Sequence, residues 1–299
     1  KNKLIISRKA HLILPTHRLL DAASEASKGK AKIGSTLKGI GPTYMDKTGR
    51  NGIRVGDIEL EDFKERYRAL ANKHEAMIKF YDVAIEYNLA ELEVEFFAAI
   101  EDLKKLTFID SEEYLHQAQK EGKSILCEGA QGMWLDMNQG TPPYTTSSET
   151  LPYAACSLGF SHREIGEVIG VAKAYDTRSG EDPRFPNSLL ECPERGIIGA
   201  TGKEYGTTTG RKRKVDFLDL DALMKAIDLS GTTKVIINKG DVLEQCGIFK
   251  IKHNREIVSF NSYAEMKQHI VGYLVNVCWI DESLISFSND PESIPKEFV

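Results

Sequence analysis

The sequence EVIGVAKAY at residues 167–175 is a short apolar run, and the polar sequence DTRSGEDP follows it directly at residues 176–183. An apolar run of this length, bounded by turn residues, is typical of a buried strand. Ligands of open parallel sheets bind beyond the carboxyl ends of the strands. We therefore predict a central strand at residues 167–175, followed by a ligand-binding loop.

Other apolar runs have the same arrangement. SILC begins at residue 124 and leads into EGAQGMWLD, which ends at residue 136, while KVII leads into NKGD over residues 234–241. Helical patterns occupy residues 218–229 and 264–275, and residues 248–260 are typical of a hairpin. The alternation of strands and helices predicts an α/β fold, with a mostly parallel central sheet flanked by helices.

The first part of the chain is richer in helical patterns. Apolar residues three and four positions apart predict helices over residues 60–106 and 111–119, which together form a helical insertion at about residues 60–120. Residues 33–57 contain six glycines, so we predict a long ordered loop there with a functional role. No linker interrupts the pattern, and we predict a single domain over residues 1–299.

Composition limits the classes of function. The 299 residues carry a net charge of −5, which gives no general attraction to nucleic acid. The five cysteines are scattered without a CxxC pair, which indicates a reducing, cytoplasmic setting and argues against disulfides and a zinc site. No apolar run has the roughly 20 residues of a membrane span. Because the chain begins at Lys1 without methionine or signal peptide, we expect either an N-terminus that is not natural or preceding sequence that is absent.

Four loops carry candidate ligand-binding groups. EYGTTTGRKRK at residues 204–214 offers glycines, hydroxyls and cations for an anion, although a solvated basic turn has the same composition. The hydroxyls of TTSS at residues 145–148 suit an anion or a cap for a helix at residues 150–158. The side chain of Gln131 can donate to and accept from the edge of a base, or its amide is hydrogen-bonded within the loop. NKGD suits the recognition of guanine, in which Asp241 would accept hydrogen bonds from the donor groups of the base. The alternative is that NKGD is an ordinary turn.

Five ordered motifs resemble the adenylosuccinate synthetase family. They are GIGPTY with RNGIRVGD (residues 39–44 and 50–57), CEGAQG (127–132), YTTSS (144–148), KAYDTR (173–178) and TTGRKRK (208–214). The resemblance implies a P-loop-NTPase-like α/β fold and a homodimeric ligase. It also implies GTP and Mg²⁺-dependent joining of IMP and L-aspartate to adenylosuccinate through a 6-phosphoryl-IMP intermediate. These properties place the chain in purine nucleotide biosynthesis.

The resemblance also implies roles for polar residues at matching motif positions. Those for IMP are Thr36, Arg50, Gln131, Thr146 and Arg211, and Gln131 is also the catalytic candidate. Those for aspartate are Thr208, Thr209, Arg211 and Arg213, and those for GTP are Arg213, Lys239 and Asp241. Arg50 would reach the site of the neighbouring subunit, so that a homodimer completes it.

The sequence also departs from the family pattern. No glycine-rich phosphate loop with its catalytic aspartate is present, and no histidine has a matching context. The expected fold is therefore N-terminally incomplete, and no Mg²⁺ ligand is identified. Glu181 and Asp182 add negative charge beside an anion site, which would oppose binding. The alternative hypotheses are an inactive, truncated or degenerate paralogue that binds purine nucleotide or a partner subunit, and a ligase for another purine or acid.

Overall fold

The computed structural model describes residues 3–206 and 210–290. The chain divides into two compact units. The N-terminal unit holds the described residues up to Gln131 together with Asp136–Asn138 and Thr145–His162. The C-terminal unit holds Gly132–Leu135, Gln139–Tyr144 and the described residues from Arg163 onward. Whether these units form one domain over residues 1–299 stays a prediction.

The N-terminal unit is mainly helical. Its helices are α1 (Pro15–Ser27), α2 (Ile40–Thr48), α3 (Phe63–Phe80), α4 (Leu89–Leu103) and α5 (Ser111–Lys120). Its strands β1 (Ile5–Ser7) and β2 (Thr107–Ile109) form a parallel pair. The helices predicted at residues 60–120 are confirmed, but the segment is not purely helical because β2 lies within it and pairs with β1.

The predicted loop at residues 33–57 contains more regular structure than its glycines suggested. Helix α2 starts directly after Gly39, whose φ of 80° ends the preceding loop, and a 3-10 turn occupies Val55–Glu59. Glycine adopts this left-handed conformation readily, so Gly39 can serve as a helix boundary. The glycines of this segment therefore separate short elements rather than prevent them.

The predicted strand at residues 124–127 is wrong. These residues have no regular structure, and the side chain of Leu126 is 86% exposed. A strand needs a partner for its backbone N–H and C=O groups, and no described strand pairs with this run. The predicted helix at residues 150–158 is a 3-10 helix over Pro152–Leu158.

The C-terminal unit contains two sheets. Its strands are β3 (Ile169–Lys173), β4 (Tyr175–Arg178), β5 (Lys214–Asp219), β6 (Lys234–Asn238), β7 (Lys250–His253), β8 (Glu256–Ser259) and β9 (Ile285–Ser288). Its helices are α6 (Pro193–Thr201), α7 (Leu220–Ser230), α8 (Gly240–Cys246) and α9 (Tyr263–Val277). One sheet has the order β3-β6-β9 with parallel pairing throughout, and the other has the order β4-β5-β7-β8.

Two strands differ from expectation. The run at residues 167–175 divides at Ala174 into β3 and β4, which belong to different sheets, and β3 is an outer strand with Val171 63% exposed. Strand β5 begins within the basic run, where Lys214 is buried and paired with Glu181. A lysine whose charge is neutralised by a partner can occupy a buried strand. The basic residues at the start of β5 therefore did not indicate a strand in the sequence.

The α/β class is confirmed, as is the excess of parallel pairing, which holds for four of the six pairings among the described strands. The strands lie in three small sheets rather than in one continuous sheet. The predicted strand at residues 234–237, the hairpin and α9 are also confirmed. No helix in the described part of the chain is both long and apolar enough to cross a membrane.

Candidate functional site

The carboxyl ends of β3 and β6 lie side by side in the C-terminal unit. Strand β6 ends at Asn238, whose carbonyl oxygen accepts a hydrogen bond from the N–H of Ala174 at 2.8 Å. Lys239 then adopts a left-handed φ of 66°, and α8 begins at Gly240. This arrangement places the NKGD sequence directly beside the end of β3, as expected for neighbouring parallel strands.

Glu204 is the centre of a buried charge cluster at this edge. Its carboxylate accepts hydrogen bonds from Lys173 Nζ at 2.8 Å, from the Tyr175 hydroxyl at 2.7 Å and from Arg213 Nη1 at 2.8 Å. Glu204 itself is 2% exposed. The cluster thus joins β3, β4 and the basic loop through one carboxylate.

Burial and charge act in opposite directions on these groups. Burial opposes ionisation of Glu204, but hydrogen bonds from Lys173, Tyr175 and Arg213 outweigh it and hold the pKa of the carboxyl below its usual range. Burial lowers the pKa of Lys173; Glu204 opposes this change, whereas Arg213 and Lys239 add to it. The predicted GTP-binding cations therefore lie within electrostatic reach of Lys173.

The basic loop closes on itself at its base. The Arg213 N–H donates to the Glu204 carbonyl at 2.9 Å, and the Gly206 N–H donates to the Arg211 carbonyl at 2.7 Å. Both arginines are half-buried, so the described part of this run is not fully solvated. Thr208 and Thr209, predicted to hold aspartate, lie outside the described residues.

Three polar atoms beside the NKGD sequence are buried without a hydrogen-bond partner among the described residues. They are Asn238 Oδ1, Asp241 Oδ1 and the hydroxyl oxygen of Tyr263. A Cβ at Gly240 would overlap the Tyr263 hydroxyl, so the ring packs tightly against this turn. Buried polar atoms usually have partners, and an unsatisfied group in a loop at the end of a strand is suited to a ligand.

The acids expected to oppose anion binding are neutralised locally. Asp182 is 3% exposed and pairs with Arg184 at 2.9 Å and with Arg178 at 3.5 Å. Glu181 pairs with Lys214 at 2.9 Å. Each acid is therefore paired with a cation, and the expected repulsion of an anionic ligand stays a prediction.

Four of the predicted IMP residues lie in the N-terminal unit. Thr36, Arg50 and Gln131 are exposed, and Thr146 is half-buried. Arg50 and Gln131 each have a φ of 62°, an uncommon conformation for side chains of this size. Two of the segments that carry or adjoin these residues lie next to each other. A Cβ at Gly41 would lie 3.6 Å from Ser147 Oγ, so residues 145–148 lie beside the first turn of α2.

A second buried carboxylate, Asp46, joins three helices of this unit. Asp46 on α2 lies 3.0 Å from His17 Nε2 on α1 and 2.6 Å from His74 Nε2 on α3. Its other oxygen accepts from Lys73 at 3.0 Å. Both histidines have no exposed surface, and Asp46 is 1% exposed. This cluster was not predicted, because the three residues come from distant parts of the sequence.

The same three residues are the one group within the described ranges that could hold a metal ion. The Leu14 N–H donates to His17 Nδ1 at 2.9 Å, so the proton of neutral His17 lies on Nε2 and points at Asp46. A protonated nitrogen cannot coordinate a metal. Mg²⁺ also prefers oxygen ligands, so this cluster does not fit the Mg²⁺ that the family implies.

The buried histidines predict a loss of stability in mild acid. Burial lowers the pKa of His17 to about 4, although the hydrogen bond to Asp46 opposes this shift. Unfolded His17 titrates near pH 6.5, so between pH 6.5 and 4 the unfolded state binds more protons and folding stability falls. We expect the free energy of unfolding to drop by about 2 kcal/mol between pH 7 and pH 5 from His17 alone. The pKa of His74 is also lowered, mainly by burial, which adds to the effect.

Urea unfolding across this pH range tests the expectation. His17→Gln should flatten the dependence, whereas His116→Gln, at an exposed position on α5, should keep it. A stability that is constant from pH 7 to pH 5 in the unsubstituted chain would contradict the assignment of neutral buried histidines.

Several residues in these clusters were present in the recognised motifs but received no role. Lys173 and Tyr175 belong to KAYDTR, and Glu204 precedes the threonines of the basic loop. A lone carboxylate before a run of cations is a signal that could have identified Glu204. The predicted roles of the IMP, aspartate and GTP residues stay predictions.

Comparison with known proteins gives consistent matches. The adenylosuccinate synthetase family profile matches residues 1–270. An adenylosuccinate synthetase of Flavobacterium psychrophilum is 68% identical over 252 residues, which cover 84% of this chain and 59% of that protein. The adenylosuccinate synthetase of Christiangramia forsetii is 58% identical over 304 aligned positions, covering 100% of this chain and 71% of that protein.

A solved structure gives the same result for the fold. The fully ligated adenylosuccinate synthetase from Plasmodium falciparum aligns with a TM-score of 0.73 and 31% identity, over 87% of this chain and 62% of that chain. This confirms the predicted fold. The chain spans 59% of the length of the Flavobacterium psychrophilum protein. Since the profile covers 270 residues of the 299, the chain belongs to the adenylosuccinate synthetase family.

Proposed function

We propose that the protein to which this chain belongs ligates IMP and L-aspartate to adenylosuccinate, with GTP as the phosphoryl donor and 6-phosphoryl-IMP as the intermediate. The observation that carries the proposal is that NKGD and the buried Glu204 cluster lie at the neighbouring ends of β6 and β3. Phosphoryl transfer requires mainly the positioning of anions by fixed cations and donors. A cytoplasmic location in purine biosynthesis belongs to the same proposal.

Guanine recognition follows from the chemistry of the NKGD turn. Asp241 accepts from the N1–H and the exocyclic N2–H₂ of guanine, and the aliphatic stem of Lys239 packs on the ring. The buried Oδ1 of Asp241, which has no hydrogen-bond partner in the described part of the chain, is an acceptor that such a base would satisfy. The ammonium of Lys239 adds positive charge at the same turn.

The basic loop supplies the groups for the second anion. Arg211 and Arg213 offer guanidinium groups that bind carboxylates through two parallel hydrogen bonds. Arg213 is already oriented by its hydrogen bond to Glu204. Its side chain therefore loses less conformational entropy on ligand binding than a free side chain would. Thr208 and Thr209 add hydroxyl donors for the aspartate carboxylates.

IMP occupies the N-terminal unit in this proposal. Thr36 and Thr146 offer hydroxyls, and Gln131 offers an amide that donates and accepts at the edge of the base. Arg50 reaches the IMP phosphate of the neighbouring subunit, so a homodimer completes the site. Among the described residues, no group of three or more carboxylates that could hold Mg²⁺ occurs.

Binding and turnover measurements on the 299-residue chain test the proposal. We expect IMP and GTP to bind in calorimetry, and adenylosuccinate to form when Mg²⁺ and L-aspartate are added. Binding without turnover would support the alternative, a purine-nucleotide-binding paralogue or fragment without activity of its own. Absence of binding for both nucleotides would overturn the proposal for this chain.

Base specificity gives a sharper prediction. In Asp241→Asn one acceptor becomes a donor, which mismatches the guanine N2–H₂ but matches the 2-oxo group of xanthine. We expect GTP to bind at least tenfold more weakly and XTP to bind more tightly than in the unsubstituted chain. Asp228→Asn, at an exposed position on α7, is the matched control and should leave both affinities unchanged. An unaltered preference for GTP in Asp241→Asn would contradict the guanine assignment.

A further inference from the structure

Helix α1 presents three polar residues at intervals of four. His17, Asp21 and Glu25 therefore lie along one face of the helix. This face contacts the segment that leads into α2, residues 34–39, which we call the IMP segment because it contains Thr36. Each of the three side chains holds a different part of the chain between residues 34 and 46.

Glu25 holds the start of the IMP segment. It is 7% exposed, and its Oε1 accepts the N–H of Gly34 at 2.6 Å and the N–H of Ser35 at 3.2 Å. Its Oε2 pairs with Lys28 at 3.2 Å. Burial alone would raise the pKa of Glu25, but these N–H groups and Lys28 outweigh it and lower the pKa. The carboxylate therefore stays ionised as a fixed acceptor for the backbone.

Asp21 holds the end of the same segment. Its Oδ1 accepts from the Ser35 hydroxyl at 2.8 Å, and its Oδ2 accepts the N–H of Gly39 at 3.0 Å. A Cβ at Gly39 would lie 3.0 Å from the backbone of His17 and Arg18, so the segment runs directly against α1. Two carboxylates one helical turn apart thus hold both ends of a six-residue segment.

The IMP segment is in an unusual conformation. Gly34, Leu37 and Gly39 have φ values of 89°, 56° and 80°. For leucine a positive φ is sparsely populated, and it persists only where surrounding contacts determine the backbone. Strained backbone of this kind is found at ligand clamps. The bonds to Asp21 and Glu25 supply the required contacts from the α1 side, while the side chains of Thr36 and Lys38 remain exposed.

We propose that Asp21 and Glu25 are positioning residues for IMP. They hold the backbone of the IMP segment in the one conformation in which Thr36 meets the nucleotide. Neither carboxylate touches the ligand, because each is engaged by N–H or O–H groups of the IMP segment. The proposal rests on the proposed function, since it takes Thr36 to be an IMP contact.

The test compares variants of the 299-residue chain. Glu25→Ala removes the acceptor, and we expect it to weaken IMP binding by about tenfold in calorimetry. The affinity for GTP should not change, which distinguishes a positioning role from general destabilisation. Glu25→Gln keeps an oxygen acceptor for the two N–H groups, so IMP affinity should stay within about threefold of the original. Glu65→Ala, at an exposed position on α3, is the matched control.

Hydrogen exchange gives a readout that needs no nucleotide. In Glu25→Ala the amides of residues 34–39 should exchange faster, with the rest of the chain unchanged. Unaltered IMP affinity and unaltered exchange would overturn the inference, as would an equal loss of IMP and GTP affinity. A chain that fails to bind IMP at all, or binds it equally in Thr36→Ala, would overturn the proposed role of Thr36. Exchange in the IMP segment would then still show whether Glu25 holds it.

Discussion

Asp46→Ala is expected to lower the free energy of unfolding by about 2–6 kcal/mol, because it leaves two buried imidazole donors without their acceptor. The substitution leaves the Nε2–H groups of His17 and His74 without an acceptor in an interior that water does not reach. Each buried donor without a partner costs about 1–3 kcal/mol. Lys73 contributes less, because its side chain is 43% exposed and can turn to solvent.

The loss should be graded with the chemistry of the replacement. Asp46→Asn keeps one oxygen that can accept from both histidines, so we expect a smaller cost of about 1–3 kcal/mol. Asp102→Ala is the matched control, since Asp102 is 76% exposed and pairs with Lys105 on the surface. It should change stability by no more than about 0.5 kcal/mol.

Urea unfolding of the three variants measures these differences. Equal stability of Asp46→Ala and the unsubstituted chain would show that the three helices are held by apolar packing alone. The apolar residues that α1 and α3 bury, such as Leu20 and Ile78, would then be sufficient for their association. A cost for Asp46→Ala that does not shrink as the pH falls toward 4 would agree with the buried network, because a protonated His17 loses its counter-charge when Asp46 is removed.

The sequence predicted elements whose pattern is local. Helix α9 was predicted from apolar residues three and four positions apart, and Met266, Ile270 and Leu274 on it are buried. The hairpin of β7 and β8 was predicted from two short apolar runs separated by turn residues. In each case the information lies within about ten residues, so periodicity is sufficient.

Other features depend on contacts between distant residues, which periodicity does not contain. Asp46 meets His17 and His74 across 29 and 28 positions of sequence. Strand β5 was concealed by the charge of Lys214, which Glu181 neutralises from 33 positions away. The apolar run at residues 124–127 failed as a strand for the opposite reason, since its pattern was right but no described strand pairs with it.

The parts of the candidate site that lie within single sequence motifs were predictable. NKGD and the basic loop were identified as ligand-binding sequences, and the ends of β3 and β6 do lie together. The role of Glu204 was missed because its partners Lys173 and Tyr175 belong to a different motif, about 30 residues earlier. Spacing within a motif does not reveal a carboxylate that connects two motifs.

Glu204→Ala is the second substitution with a large expected effect. Glu204 is 2% exposed and accepts from three donors, so its removal leaves Lys173, the Tyr175 hydroxyl and Arg213 without this acceptor. We expect a loss of about 3–5 kcal/mol in the free energy of unfolding. The base of the basic loop should also open, because Arg213 is fixed through this carboxylate.

Glu204→Gln separates charge from hydrogen bonding at the same position. Its amide oxygen still accepts from Lys173 and Tyr175, but its NH₂ group faces the guanidinium of Arg213 and cannot pair with it. We therefore expect a chain that folds with a smaller loss of stability, yet binds GTP and aspartate more weakly because Arg213 is no longer held. Glu167→Ala is the control, since Glu167 is 60% exposed beside Lys234 and should affect neither quantity. If Glu204→Gln bound both ligands as the unsubstituted chain does, the orientation of Arg213 would be irrelevant to them, and the role of Glu204 would be confined to folding.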